Sequence, residues 1–186
     1  MSDRVLVVTG ASGFIGSAVC RVAMEEGLEV RGITRSADRP LAEGVVRHVV
    51  PGLGPSEELA MALDGAQAVI HLAARVHVMK ETAADPDAAF REVNVDGTLA
   101  LTYAAQAAGV RRLVFASSIK VNGEATRPGH PFRESDAPAP QDAYGRSKLL
   151  AEQALAASTK EGPEGAVVRP PLVYGPGVGG NVRRLM

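Results

Sequence analysis

Tyr144 and Lys148 stand four apart in a stretch, Asp142 to Ser158, whose pattern predicts a helix, so they share a face. A phenol is a poor base at neutral pH, with a pKa near ~10. A neighbouring ammonium favours the phenolate, and so does any second cation nearby. Depressing the phenol by ~3 units requires about 4 kcal/mol of differential stabilisation, which two cations in a partly dry cleft could supply. Tyr144 could then move a proton as a general acid–base. A Tyr and Lys at this spacing are otherwise an ordinary surface pair, so their position must give them weight. Ser117 and Ser118 directly follow an apolar strand-like run, Arg112 to Ala116. A hydroxyl there could bond a substrate oxygen and steady developing charge, or simply cap a turn.

Those side chains need a partner that accepts or delivers electrons, and the N-terminal region predicts one. Gly10, Gly13 and Gly16 lie between a β-branched run, Arg4 to Thr9, and a helical pattern from Phe14 to Glu26. Such a turn brings backbone close to a pyrophosphate, which the helix N-terminus favours. Its other members Ser12, Phe14 and Ile15 join the candidate contacts. The spacing is GxxGxxG, one residue wider than the usual dinucleotide fingerprint. In that fingerprint an acid ~20 residues on holds the ribose 2′-hydroxyl. Here the place is taken by Thr34 and Arg35, with Arg39 close by. A guanidinium there would suit a 2′-phosphate, or be a solvated loop charge. The expected cofactor is NAD or NADP, leaning slightly to NADP. Hydride could pass to or from its nicotinamide while Tyr144 moves the proton.

Further elements must position these groups. Strands are expected at Glu29 to Thr34, Val45 to Val50, Ala68 to Ala73, Arg112 to Ala116 and Ala166 to Arg169. Helices are expected at Glu57 to Leu63, at Pro86 to Ala108 as one long stretch, and at Asp142 to Ser158. Continuous apolar strands alternating with helices predict an α/β fold, a doubly wound parallel sheet covered on both faces. The loop from Ser117 to Gln141 is longer than most connections, and such loops are often functional. After Arg169 come Pro170 and Pro171, then a turn at Tyr174 to Gly177, then the start of another element at Asn181 to Met186.

The chain has 186 residues, enough for one domain with a proper core. Aromatics are 4% and Trp is absent, so that core is aliphatic. The formal net charge is −1 and basic residues are scattered, which argues against a nucleic-acid footprint. No apolar run approaches the ~18 residues of a membrane span. The first residues lead straight into a strand without signal-peptide architecture. A single cysteine, Cys20, excludes an internal disulfide and a cysteine-rich metal site. A cytoplasmic protein without a resident metal is the expectation.

Taken together, the segments Gly10 to Gly16, His71-Leu-Ala-Ala74, Asn94-Val-Asp-Gly97-Thr98, Ser117-Ser118, Tyr144 to Lys148 and Arg169 to Pro176 are highly specific. They resemble the extended short-chain dehydrogenase/reductases, in the epimerase/dehydratase branch that acts on nucleotide sugars. The likeness to UDP-glucose 4-epimerase-like bacterial proteins implies a Rossmann-type sheet across the whole chain, residues 1–186. It implies that Tyr144 is the catalytic acid–base, Lys148 its partner on the nicotinamide ribose, and Ser118 the binder of the substrate oxygen. Ser117 would support Ser118. Leu72, Ala73 and Ala74 would line the adenosine-diphosphate path, and Asn94 would brace the cofactor site. Pro170, Pro171, Leu172 and Val173 would pack against the nicotinamide.

Departures from the branch sharpen the reading. Its acid after the third strand, which recognises adenine, is replaced by Gly52 before Leu53, leaving Leu53 at the cofactor. Asn122 replaces a common Tyr, and Lys120 is an unusual charge beside the site. Dehydratases of the branch carry an acid pair where Ile119 and Lys120 stand, so elimination of water is disfavoured. Members of the branch are longer, so the resemblance implies that a last strand and a C-terminal lobe for the sugar are absent here. The expected substrate is a UDP-sugar. A 4-epimerase and an NADP-dependent 4-keto-sugar reductase both remain open, as does a non-catalytic NAD(P)-binding module. The helices from Pro86 and Asp142, with Leu149, Leu150, Gln153, Ala154 and Ala157, imply a homodimer through a four-helix bundle.

Overall fold

The computed structural model describes residues 4–76, 85–158 and 162–178. Six parallel strands form one sheet: β1 Val5–Thr9, β2 Glu29–Thr34, β3 Val46–Val49, β4 Ala68–His71, β5 Arg112–Ala116 and β6 Glu164–Val168. Their order is β3-β2-β1-β4-β5-β6. The order reverses between β1 and β4, and the crevice beyond the carboxyl ends of those strands is where such sheets take ligands. This is the Rossmann-type α/β architecture the alternation predicts.

Alternation within β1 explains why both faces are covered. Val5 and Val7 face a core shared with Val69, Leu113 and the helix residues Leu59, Leu63, Leu101 and Leu155. Leu6 and Val8 face a second core with Val30, Cys20 and Ala23. Successive side chains on a strand point to opposite faces, so an unbroken apolar run needs a helical layer on each side. The layers are α1 Phe14–Glu25, α2 Glu57–Leu63, α3 Pro86–Arg91, α4 Gly97–Ala107 and α5 Ala143–Ser158. Ser56 caps α2 by accepting from the Leu59 amide, and Asp85 caps α3 through the Ala88 amide.

Three expectations need correction. The long helix expected from Pro86 to Ala108 is not uniform, because a π-helical segment, Glu92–Asp96, separates α3 from α4. The backbone stays in the right-handed helical region on both sides, so apolar spacing alone could not reveal the wider turn. The sheet is not covered to its edge: every residue of β6 is exposed, while all of β1 is buried. Strand ends also shift, with β4 stopping at His71 and β6 running Glu164–Val168. Beyond His71 the Leu72 and Ala73 amides both bond the Thr9 side-chain hydroxyl at the end of the neighbouring β1, so the regular backbone ladder stops there. The element expected at Asn181 to Met186 lies outside the described residues. Among the described residues no helix is long and apolar enough to cross a membrane. No group of His, Cys, Asp and Glu among them is placed to hold a metal ion.

Candidate functional site

The glycine turn closes on itself at the carboxyl end of β1. Gly10 has φ 67°, and the Gly13 amide donates to its carbonyl at 2.9 Å. The first bond of α1 runs from the Ser17 amide to the Gly13 carbonyl, 2.9 Å. The amides of Phe14, Ile15 and Gly16 therefore have no acceptor within the helix. No side chain caps this end and its first turn carries no acid, which keeps the positive end of the helix dipole open to an anion. A Cβ on Gly16 would lie 2.1 Å from the Gly10 carbonyl oxygen, and one on Gly10 would lie 2.8 Å from the Ala73 amide. The turn is thus wedged against the Leu72–Ala73 peptide. Ser12, Phe14 and Ile15 are half-buried around it.

Beyond β5, Ser118 has extended backbone and caps the short 3₁₀ turn Ile119–Val121 by accepting from the Lys120 amide at 3.3 Å. The same hydroxyl lies near the Tyr144 phenol and lowers its pKa. Lys148 is 2% exposed, its ammonium donates to the Ala116 carbonyl at 2.8 Å, and it sits 4.5 Å from the Phe115 ring centre and 5.9 Å from that of Tyr144. Burial lowers its pKa to about 8, opposed by the charge of Glu152.

The phenol of the chain by itself is shifted upward. Burial pushes Tyr144 above its ordinary value, outweighing the lowering by the nearby Ser118 hydroxyl and by Lys120, while Asp142 adds to the rise. The expected phenolate depends on two cations, one of them the nicotinamide ring, and this upward shift belongs to the chain by itself. Desolvation is the largest cause, and Lys120 is the cation that lowers the phenol.

Asp142 arranges the start of α5. One carboxylate oxygen accepts from the Gly145 amide at 2.6 Å, and the other pairs with Lys120 at 2.5 Å. Glu124 approaches the same ammonium at 3.2 Å. The charge of Lys120 is thus met by two carboxylates. A Cβ on Gly145 would lie 3.1 Å from the Lys120 carbonyl, so the absence of a side chain next to Tyr144 lets the 3₁₀ turn approach the helix.

Asn94, 1% exposed, holds three elements together from the π segment. It accepts from the Arg75 amide at 2.8 Å, and donates to the Arg75 carbonyl at 3.0 Å and to Ser147 Oγ at 2.9 Å. Ser147 lies beside Lys148 on α5, so the widened turn connects the segment after β4 with the helix bearing Tyr144. Leu72, Ala73 and Ala74 are half-buried at the end of β4. Ser117 is buried and its hydroxyl has no hydrogen-bond partner.

The remaining expected residues are more dispersed. Thr34 is buried and donates to the Ser36 carbonyl at 3.0 Å, while Arg35 is exposed. Leu53 packs against the main core, with a side-chain atom 3.7 Å from where a Gly97 Cβ would stand. Pro170 is tied in, its carbonyl accepting from the Ile119 amide at 3.0 Å, but Pro171, Leu172 and Val173 are exposed. A cluster not anticipated lies below the Ser118 loop. Arg169 binds Glu152 through two bonds of 2.9 and 2.6 Å and Asn122 Oδ1 at 3.1 Å, while Asn122 donates to the Arg133 carbonyl at 3.2 Å. It ties α5 and the end of β6 to the long loop. Asp142, one residue ahead of a helix start, was the legible part of this positioning, because acids favour that place.

Comparison with known proteins agrees with this geometry. Residues 6–186 match the NAD dependent epimerase/dehydratase family. The chain is 38% identical over 192 residues to a UDP-glucose 4-epimerase of Vibrio cholerae, covering 97% of this chain and 55% of that protein. A short-chain dehydrogenase/reductase superfamily protein from Agrobacterium tumefaciens, solved with bound NAD, superimposes with a TM-score of 0.76 at 35% identity, over 89% of this chain and 48% of that one. MoeE5, solved with UDP-glucose and NAD, gives a TM-score of 0.69 at 34% identity, over 87% and 52% of the two chains. The chain spans about half the length of the relatives it matches. A parallel six-stranded sheet, an uncapped glycine turn at its switch point and a match along nearly the whole sequence lead to one assignment: the chain belongs to the NAD dependent epimerase/dehydratase family.

Proposed function

We propose that this chain is the dinucleotide-binding domain of a nucleotide-sugar oxidoreductase, a UDP-sugar 4-epimerase-like enzyme with Ser118, Tyr144 and Lys148 as its catalytic residues. The observation that carries the reading is Lys148, buried with its ammonium 5.9 Å from the Tyr144 ring centre, while Ser118 lies close enough to lower the phenol's pKa. The likeness to an epimerase and to a protein solved with UDP-glucose supports the substrate class.

The residues present fit a nicotinamide dinucleotide. The open N-terminus of α1 suits a pyrophosphate, and the unpartnered Ser117 hydroxyl provides a polar group at the end of β5. The dinucleotide supplies the acceptor and donor of hydride, and in its oxidised form a positive ring. That charge adds to Lys148 in bringing the Tyr144 phenol down from its raised value. Ser118 holds the oxygen at the reacting sugar carbon, C4 in this reading. Tyr144 takes the proton of that hydroxyl at its phenolic oxygen and gives it back when the keto group is reduced. Lys148 holds charge near the phenol and reaches the cofactor ribose.

A second reading is an NADP-dependent 4-keto-sugar reductase. It rests on Arg35 and Arg39, both exposed just beyond β2 where a 2′-phosphate would lie, whereas the relatives solved with NAD support the epimerase. The single, buried cysteine suits a cytoplasmic setting. A homodimer is part of the proposal. Tyr103 on α4 and Leu150 on α5 are exposed, and an apolar groove of about 500 Å³ runs along α4 between Pro55 and Tyr103. Sedimentation as a monomer alone would remove it.

Fluorescence titration with NADH and NADPH tests cofactor binding directly, and saturable binding of one is expected. No binding of either would count against the domain assignment. In the full-length enzyme, Tyr144→Phe is expected to lower turnover of UDP-glucose by about 10²–10⁴-fold with cofactor affinity retained. Full activity in that variant would remove Tyr144 from the acid–base role.

A further inference from the structure

His71 ends β4 in the run AVIH, the one ionisable residue of that strand. It is completely buried, as are Thr9 and Thr98 on either side of it. Thr9 Oγ1 lies 2.7 Å from Nδ1, and Thr98 Oγ1 lies 3.0 Å from Nε2. Thr98 donates its hydroxyl proton to the Asn94 carbonyl at 2.6 Å. Each hydroxyl has one proton to give, so Thr98 can only accept from the imidazole, and Nε2 carries the hydrogen. Nδ1 is then an acceptor, and Thr9 donates to it. Thr9 Oγ1 in turn accepts from the Ala73 amide at 3.1 Å and the Leu72 amide at 3.2 Å, the latter shared with the Thr9 carbonyl at 3.3 Å. Every proton in the chain has a single direction. It runs from the Leu72 and Ala73 amides through Thr9, His71 and Thr98 to the π segment.

The ring is held in the neutral state from two sides. Burial and the charge of Lys148 bring its pKa down to about 3. Phe115 lies between the two groups, its ring centre 5.5 Å from that of His71 and 4.5 Å from the Lys148 ammonium.

We infer that His71 is a positioning residue, whose Nε2–H tautomer locks the peptide behind the glycine turn to the π segment that carries Asn94. The role follows from what each end does. The Leu72–Ala73 peptide is the surface against which Gly10 packs, and Asn94 reaches Ser147 on the helix of Tyr144 and Lys148. A uniform helix and a strand of apolar residues would hold these ends independently. One imidazole, with an acceptor on one edge and a donor on the other, makes them a single unit. The consequence for dinucleotide affinity rests on the cofactor reading above, but the coupling itself does not.

The test uses Thr98→Val, which touches neither Leu72 nor Ala73, with Thr102→Val as control. Thr102 is buried on the same helix and donates to the Thr98 carbonyl at 2.8 Å, outside the relay. Amide hydrogen exchange at Ala73 is expected to accelerate about three- to tenfold in Thr98→Val, the equivalent of one hydrogen bond, and to stay unchanged in Thr102→Val. The NADH dissociation constant is expected to rise by a similar factor in Thr98→Val only. Equal exchange at Ala73 in both variants overturns the inference. Nitrogen-15 NMR of the unsubstituted chain gives an answer even if the variants fail to fold. Of the four histidines, His71 is expected to show a protonated Nε2 and a bare Nδ1 throughout about pH 5–8, where an ordinary imidazole titrates. A proton on Nδ1, or titration in that range, also overturns it. If the unsubstituted chain does not bind NADH, the cofactor reading fails while the exchange and NMR results still decide the coupling.

Discussion

Replacing Lys148 by Met separates what the site costs from what it does. Lys148 is 2% exposed, and burial lowers its pKa from 10.5 to about 8. That difference corresponds to about 3 kcal/mol held against folding while the lysine is charged. Below about pH 8 native and unfolded chains both bear the proton, so this contribution is constant. Between pH 8 and 10.5 the unfolded chain binds more protons than the native one, and stability therefore rises with pH by about 3 kcal/mol. Above 10.5 both are neutral and the rise ends. Lys148→Met removes the charge but also the donor to the Ala116 carbonyl, which costs about 1–3 kcal/mol. The variant is expected to match or exceed the parent near pH 7 by on the order of 1 kcal/mol, a gain typical of removing a functional charge from a dry site. Urea unfolding of both proteins from pH 7 to 11, plotted as parent minus variant, isolates the lysine from other titrations. A rising difference across 8 to 10.5 is expected. A flat difference would mean that the native ammonium has its ordinary pKa and that the burial argument is wrong.

Two further outcomes follow from the packing. Gly16→Ala would put a methyl 2.1 Å from a backbone oxygen, so it is expected to lose at least about 3 kcal/mol or to abolish cooperative thermal unfolding, whereas Gly52→Ala, with open space around it, should stay within about 0.5 kcal/mol. Equal melting temperatures for the two would contradict the wedged turn. Glu152→Ala leaves the half-buried Arg169 guanidinium without its bidentate partner and should cost about 2 kcal/mol in denaturant titration. Arg112→Ala, which breaks an exposed pair with Glu164, should produce no measurable change. If the exposed pair mattered more, burial would not be what gives these contacts their value.

The glycine turn, the strand–helix alternation and the Tyr144–Lys148 spacing were legible in the sequence because each is local. A turn needs glycines at set intervals, a twice-covered strand needs an unbroken apolar run, and helical neighbours recur every three or four residues. Segments such as His71 to Ala74 could be recognised, but not what His71 touches, since its partners lie 62 and 27 residues away. The π segment was hidden because it preserves helical backbone while changing only the hydrogen-bond pattern. The sign of the Tyr144 shift was hidden for a different reason. Spacing reports Lys148 four residues on, but only the packed structure sets how much water is removed, and desolvation is the largest cause of the shift. Sequence by itself therefore determined which groups could take part and in what order they occur. Tertiary structure decided which of them are dry, which way their protons point and which are held as one unit, because burial and long-range hydrogen bonds arise only when distant segments pack.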